Sequence, residues 1–245
     1  MTPRVTLAVT ARVLTQLRRD HRTLALLLVM PCLLMTLLAW IFADSDSGVF
    51  DRVAPGLLAL FPFIVMFLVT SVTTLRERTS GTLERLLAMP MGRLDLILGY
   101  ALAFGVVAWA QAALAVALSV GALGLDIAGS VWLLGAIAVL DAVLGTALGL
   151  FVSAFARTEF QAVQFLPALV IPQMLLCGLL VARDQLPRAL ELVSDVLPLS
   201  YAVDAMTAVC RGDATWDIAS DIGVVAAFVV GFVALGALTL RRRTP

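Results

Sequence analysis

Lysine is absent from this 245-residue chain, and all 17 of its basic residues are arginine. Histidine occurs once, at His21, so a mechanism built on paired imidazoles cannot be assembled within one chain. The three cysteines, Cys32, Cys177 and Cys210, form neither a CxxC pair nor a metal-ligand spacing. Cys32 and Cys177 sit in apolar runs, where they act as small hydrophobes. No GxxxxGK(S/T) phosphate loop is present, so the chain does not bind ATP in that way. Charge is scarce throughout. Only 14% of residues are Asp, Glu, Lys or Arg, against roughly 25% in soluble chains. Hydrophobic residues make up 61%, against roughly 45–50%, and the mean hydropathy is +1.02. These shortages exclude a disordered chain, a nucleic-acid-binding module, a disulfide scaffold and a water-soluble enzyme. What remains is an all-α integral membrane protein.

The apolar runs predict six spans within one transmembrane domain covering residues 1–245. They lie near Leu24–Ala43, Ala54–Leu75, Leu96–Val120, Val131–Ala154, Phe160–Ala182 and Ile222–Leu240. The first is read as a retained span, because its 20-residue apolar core is too long for a signal peptide and no A-x-A-like site follows. Arginine placement orients the set. With a cytoplasmic N-terminus, 13 of the 17 arginines fall inside, against five acids: Asp20, Glu77, Glu84, Asp95 and Glu159. The four outer arginines, Arg52, Arg183, Arg188 and Arg211, face eleven acids. A formal net charge of zero therefore hides +8 inside and −7 outside, and both termini are expected in the cytoplasm of a cell-membrane protein.

Before the first span, Val5, Leu7, Val9, Val13, Leu14 and Leu17 share one side of a helix at 100° per residue, and Arg4, Arg12, Arg18 and Arg19 the other. This pattern predicts a basic amphipathic helix in the membrane interface. Between spans two and three, Thr82 or Ser80 can cap a short helix over about residues 79–90, with Glu84 in its first turn. Leu83, Leu86 and Leu87 make an apolar stripe there, and Pro90 ends it. Such an element either rests on lipid or fills a groove on a soluble partner.

The run Arg76-Glu77-Arg78-Thr79-Ser80-Gly81-Thr82-Leu83-Glu84-Arg85-Leu86-Leu87-Ala88-Met89-Pro90 resembles the permeases of type-2 ABC transporters. The six-span plan and the basic amphipathic N-terminal helix agree with that resemblance along the whole chain. Leu197-Pro198-Leu199-Ser200-Tyr201-Ala202-Val203-Asp204-Ala205-Met206 resembles a pattern of the family's drug-resistance, daunorubicin-type branch, which often has arginine where Thr207 stands here. The resemblance implies that the loop after span two is a coupling helix docking on a separate ATPase. Glu77, Gly81, Thr82, Leu83, Glu84, Leu86, Leu87 and Pro90 are then its candidate contacts. It also implies that ATP and Mg belong to two partner ATPase subunits and that no cofactor sits on this chain. A second permease copy, or a related permease, would complete the pathway within the lipid, and no nucleic acid is involved.

Asp141 is the only acid inside a span, where a charge costs on the order of 3 kcal/mol on insertion scales. Two readings stand for it: a contact for substrate or proton, and a structural hydrogen bond. Gly145 and Gly149 make a small-xxx-small step one turn on, suited to close helix packing. Gln161, Gln164 and Gln173, near Pro167 and Pro172 in span five, either line a polar track or serve packing. The outer connection, residues 183–217, is read as two short helices capping the bundle. One carries Leu186, Leu190, Val193 and Leu197 at helical spacing, and the other runs from Tyr201 toward Cys210. The expectation is an exporter subunit for a hydrophobic or amphipathic compound such as a drug, antibiotic or lipid-like molecule. A permease for a lipid-linked glycan or another envelope component is the alternative. A passive channel would not need the charged docking element, and a single interfacial histidine argues against an intramembrane enzyme.

Overall fold

The computed structural model describes residues 3–43, 48–81, 92–213 and 215–239. Among these the regular structure is helical: α1 (Pro3–Arg19), α2 (His21–Ile41), α3 (Val49–Thr79), α4 (Arg93–Gly121), α5 (Val131–Val152), α6 (Glu159–Leu176), α7 (Arg188–Ser194), α8 (Pro198–Arg211) and α9 (Thr215–Thr239), with a 3-10 turn at Arg183–Gln185. Six of these, α2 to α6 and α9, are long and apolar enough to cross a membrane.

Their bounds depart most from the sequence reading in two places. The fifth apolar run stays helical only to Leu176, because Gly178 adopts φ +88° and turns the chain before Ala182. The last helix starts at Thr215, seven residues before Ile222. Its added turns carry Trp216, Asp217 and Asp221, a polar-aromatic mixture that hydropathy alone does not score as a span.

The two most enclosed spans are α3 and α5, whereas α2, α6 and α9 turn most of their side chains outward. α5 packs on α3, α9 and α4. Gly145 and Gly149 explain how close α3 and α5 come. A Cβ on Gly145 would lie 2.4 Å from the Phe63 carbonyl oxygen, and one on Gly149 would lie 2.6 Å from that of Phe67. Two helices therefore touch through backbone, which only small residues allow. Phe63, Met66 and Phe67 of α3 and Tyr100 and Phe104 of α4 fill the adjoining core. Exposed Trp40, Trp132 and Trp216 fall at the end of α2 and the starts of α5 and α9. Alternating spans bring all three to the same end of the bundle, as an interfacial aromatic belt does.

At that end, α7 and α8 meet at 88°. Leu199, Ala202, Val203, Ala205 and Met206 press the amphipathic α8 onto α3, α5 and α9. Arg183 ties the bend together. It donates to Asp204 and to Asp195, and its guanidinium lies 5.1 Å from the centre of the Tyr201 ring. Tyr201 in turn donates to the Asp195 carbonyl at 2.6 Å. Burial pushes the Asp204 carboxyl up from its ordinary value despite the opposing pull of Arg183.

Candidate functional site

The charged helix ends at the opposite face carry the sequence motif. α3 stops at Thr79, with the Ser80 N–H donating to the Arg76 carbonyl at 3.0 Å and Gly81 at φ +72°. A left-handed glycine just past the last turn is a common helix stop, so the tight turn expected of Gly81 is present. Thr82, Leu83, Glu84, Leu86, Leu87 and Pro90 lie outside the described residues. The chain resumes at Gly92, whose N–H donates to Asp95 Oδ2 at 3.1 Å as α4 begins.

The flanks of that segment are held by α1. On the incoming side, Arg12 Nη1 stands 3.7 Å from Glu77 Oε2, and the Glu77 side chain is only 6% exposed. On the outgoing side, the Thr6 hydroxyl donates to Asp95 Oδ1 at 3.3 Å and the Thr10 hydroxyl to the Gly99 carbonyl at 3.2 Å. A Cβ on Gly99 would fall 2.6 Å from Val9, so α1 lies directly on α4. The N-terminal helix is amphipathic as the sequence predicts. Its buried face against α4 is Thr6, Val9, Thr10, Val13 and Leu17, while Leu7 is 62% exposed. Glu77, a candidate contact from the sequence, is buried beside Arg12.

α6 is attached to the same point. Arg76 forks onto Glu159, the first residue of α6, with Nε to Oε1 at 2.9 Å and Nη2 to Oε2 at 3.0 Å. Both side chains are about half exposed, so the pair sets register more than stability. α1 passes to α2 through Asp20, which accepts from the Thr23 N–H at 3.1 Å and hydroxyl at 2.7 Å. Those two bonds, the hydroxyl's first, hold the Asp20 carboxyl below its ordinary value. The ion pairs join residues 65 or more positions apart, and no local pattern in the sequence announces them.

The remaining candidate residues do not converge. Asp141 is completely buried on α5, with neither carboxylate oxygen hydrogen-bonded among the described residues. Gln161 accepts from the Arg157 N–H at 2.9 Å and closes the turn into α6. Gln164 is exposed. Gln173 is buried, donating to the Leu169 carbonyl at 3.1 Å and accepting from the Leu199 N–H at 3.4 Å, so it pins α6 to the start of α8. Gln161 and Gln173 make separate structural contacts, and among the described residues no hydrogen bond joins the three glutamines.

Fold and site together define a polytopic helical membrane protein whose N-terminal helix contacts the end of its second span and the start of its third. Comparison with known proteins gives the family. The model of the ABC-2 type transporter family matches residues 4–210, and the chain belongs to that family. Among its relatives, the probable multidrug ABC transporter permease YbhR of Escherichia coli is 29% identical over 166 residues, 68% of this chain and 45% of that protein. The probable multidrug ABC transporter permease YbhS of the same organism is 26% identical over 193 residues, covering 78% and 51%. ABC transporter G family member 20 of Dictyostelium discoideum is 26% identical over 166 residues, covering 68% and 23%. The chain thus spans about half, or less, of the length of these relatives.

Proposed function

We propose that this chain is the membrane-embedded permease subunit of an ATP-driven exporter, moving an amphipathic or hydrophobic compound out of the cytoplasm or inner leaflet. ATP hydrolysis resides on a separate pair of ATPase subunits, and a second permease copy or a related permease completes the pathway. The segment over about residues 79–90 is the docking element, and both termini face the cytoplasm of the cell membrane. The observation that carries this reading is the support given to that segment. α1 grips its entry through Glu77 and its exit through Asp95 and Gly99. A loop meant only to rest on lipid needs no such two-sided brace. The arginine asymmetry supports the orientation, and relatives named as multidrug permeases support export. Glu77 acts here as an internal tie, while Thr82, Leu83, Glu84, Leu86, Leu87 and Pro90 are left to meet the partner.

The test is co-purification with the cognate ATPase. Replacing Leu86 and Leu87 together by alanine removes anchoring apolar area worth roughly 1–3 kcal/mol per side chain at a docked interface. Retained ATPase, substrate-stimulated hydrolysis and transport should fall together, while the variant still inserts into membranes. Capture and transport at the parent level would defeat the assignment.

A further inference from the structure

A half-open cavity of about 470 Å³ lies between the charged ends of α1, α3 and α6. Its size falls within the roughly 300–1,000 Å³ typical of small-molecule sites. Its chemistry is divided. Leu68, Val72 and Val163 line one part, and Arg12, Asp20 and Glu77 line another.

The polar part is left incomplete by the protein. The Glu77 carboxylate meets only the Gln16 side chain and, at 3.7 Å, the Arg12 guanidinium, and Arg12 Nη1 is buried without a hydrogen-bonded acceptor among the described residues. The two groups face each other at 3.7 Å, too far to serve as each other's hydrogen-bond partner. Buried donors and acceptors left in this state are costly, so the arrangement favours a guest that supplies what both lack. Arg76 also reaches the cavity, but its fork is already occupied by Glu159.

We infer that this cavity binds the headgroup of a primary-amine phospholipid from the adjoining leaflet. The ammonium donates to Glu77 and Asp20, the phosphate accepts from Arg12, and the first part of an acyl chain lies along Leu68, Val72 and Val163. A quaternary choline head has no N–H to give Glu77. An anionic phosphoglycerol head brings no cation to the two carboxylates. The inference rests on the exporter reading only for the identity of the leaflet.

The test uses the full chain, purified in detergent without any ATPase, so its outcome is independent of the docking experiment. Native mass spectrometry would compare retention of dioleoyl phosphatidylethanolamine, phosphatidylcholine and phosphatidylglycerol. The ethanolamine lipid should be held about tenfold better than either of the others, the effect of one charge-assisted contact. Glu77→Gln should abolish that preference. Val72→Phe, which fills the cavity without touching a charge, should lower retention while unfolding at the parent temperature. Equal retention of the ethanolamine and choline lipids, preference for phosphatidylglycerol, or a preference that survives both substitutions would overturn the assignment.

Discussion

Adding a single methyl group at Gly145 tests the packing on which the rest of the bundle depends. The Cβ of Gly145→Ala would lie 2.4 Å from the Phe63 carbonyl oxygen and 3.1 Å from the Phe63 Cα. Ordinary contact between such atoms is about 3.5 Å, so α5 must back away from α3 by about 1 Å. The obstacle is helix backbone, and no side-chain rotation relieves it. Overpacking of this kind costs about 1–3 kcal/mol, or about 3–10 °C in melting temperature for a chain of this length. Gly149→Ala meets the Phe67 oxygen at 2.6 Å and should behave alike. Because both methyls force the same separation, the double variant should lose less than the sum of the single losses. Gly135→Ala is the control. It lies on the same helix with nothing within 4 Å of its Cβ, so removing a helix glycine there should be neutral or raise the melting point. The measurement is thermal unfolding in detergent followed by size-exclusion chromatography. If Gly145→Ala melted at or above the parent while Gly135→Ala did not differ from it, the backbone contact between α3 and α5 would not exist as described.

Two further outcomes are expected. Asp141→Asn should leave melting unchanged or raise it and should transport at the parent rate, since a sealed carboxylate without hydrogen bonds loses nothing when its charge is removed. Slowed transport with unchanged melting would instead place Asp141 in a conformation where α5 opens to substrate. Arg183→Gln should loosen the bend between α7 and α8 by on the order of 1 kcal/mol, a modest figure because its two acid partners are 50% and 39% exposed. In a background lacking Cys32 and Cys210, fully buried Cys177 should then react severalfold faster with a membrane-impermeant maleimide. Unchanged labelling would remove Arg183 from that role.

Hydropathy located the spans because a run of 18 or more apolar residues has few alternatives to crossing lipid. It failed at α6, where Leu179, Leu180 and Val181 continue the apolar run after Gly178 has ended the helix. Periodicity found Val9, Val13 and Leu17 on the inner face of α1 but missed Thr6 and Thr10. Their burial comes from hydrogen bonds to Asp95 and Gly99, 89 positions away. At the candidate site, the motif and the Gly81 turn could be read locally. The role of Glu77 could not, because Arg12 reaches it only once α1 has packed on α4.

If the segment after Gly81 docks as proposed, α3 is the element through which work done there reaches the other end of the bundle. α3 runs straight out of that segment, and its 31 residues span about 46 Å, more than the roughly 30 Å of hydrocarbon. From Phe63 to Thr79 it contains neither proline nor glycine, so this half has no site at which helices usually kink. Pro55, Gly56 and Pro62 are all in the N-terminal half. That is also where the outer elements rest on it: a Cβ on Gly56 would lie 2.6 Å from Leu179 and 3.4 Å from Val203 of α8. A push at Gly81 would therefore travel through the stiff half undiminished. It would be absorbed beside Pro55 and Pro62, against the turn after α6 and the face of α8. Arg183 closes those two elements over the end of the bundle. The proline-free half, the half that carries Pro55 and Pro62, and the contacts with Leu179 and α8 thus follow one another along α3.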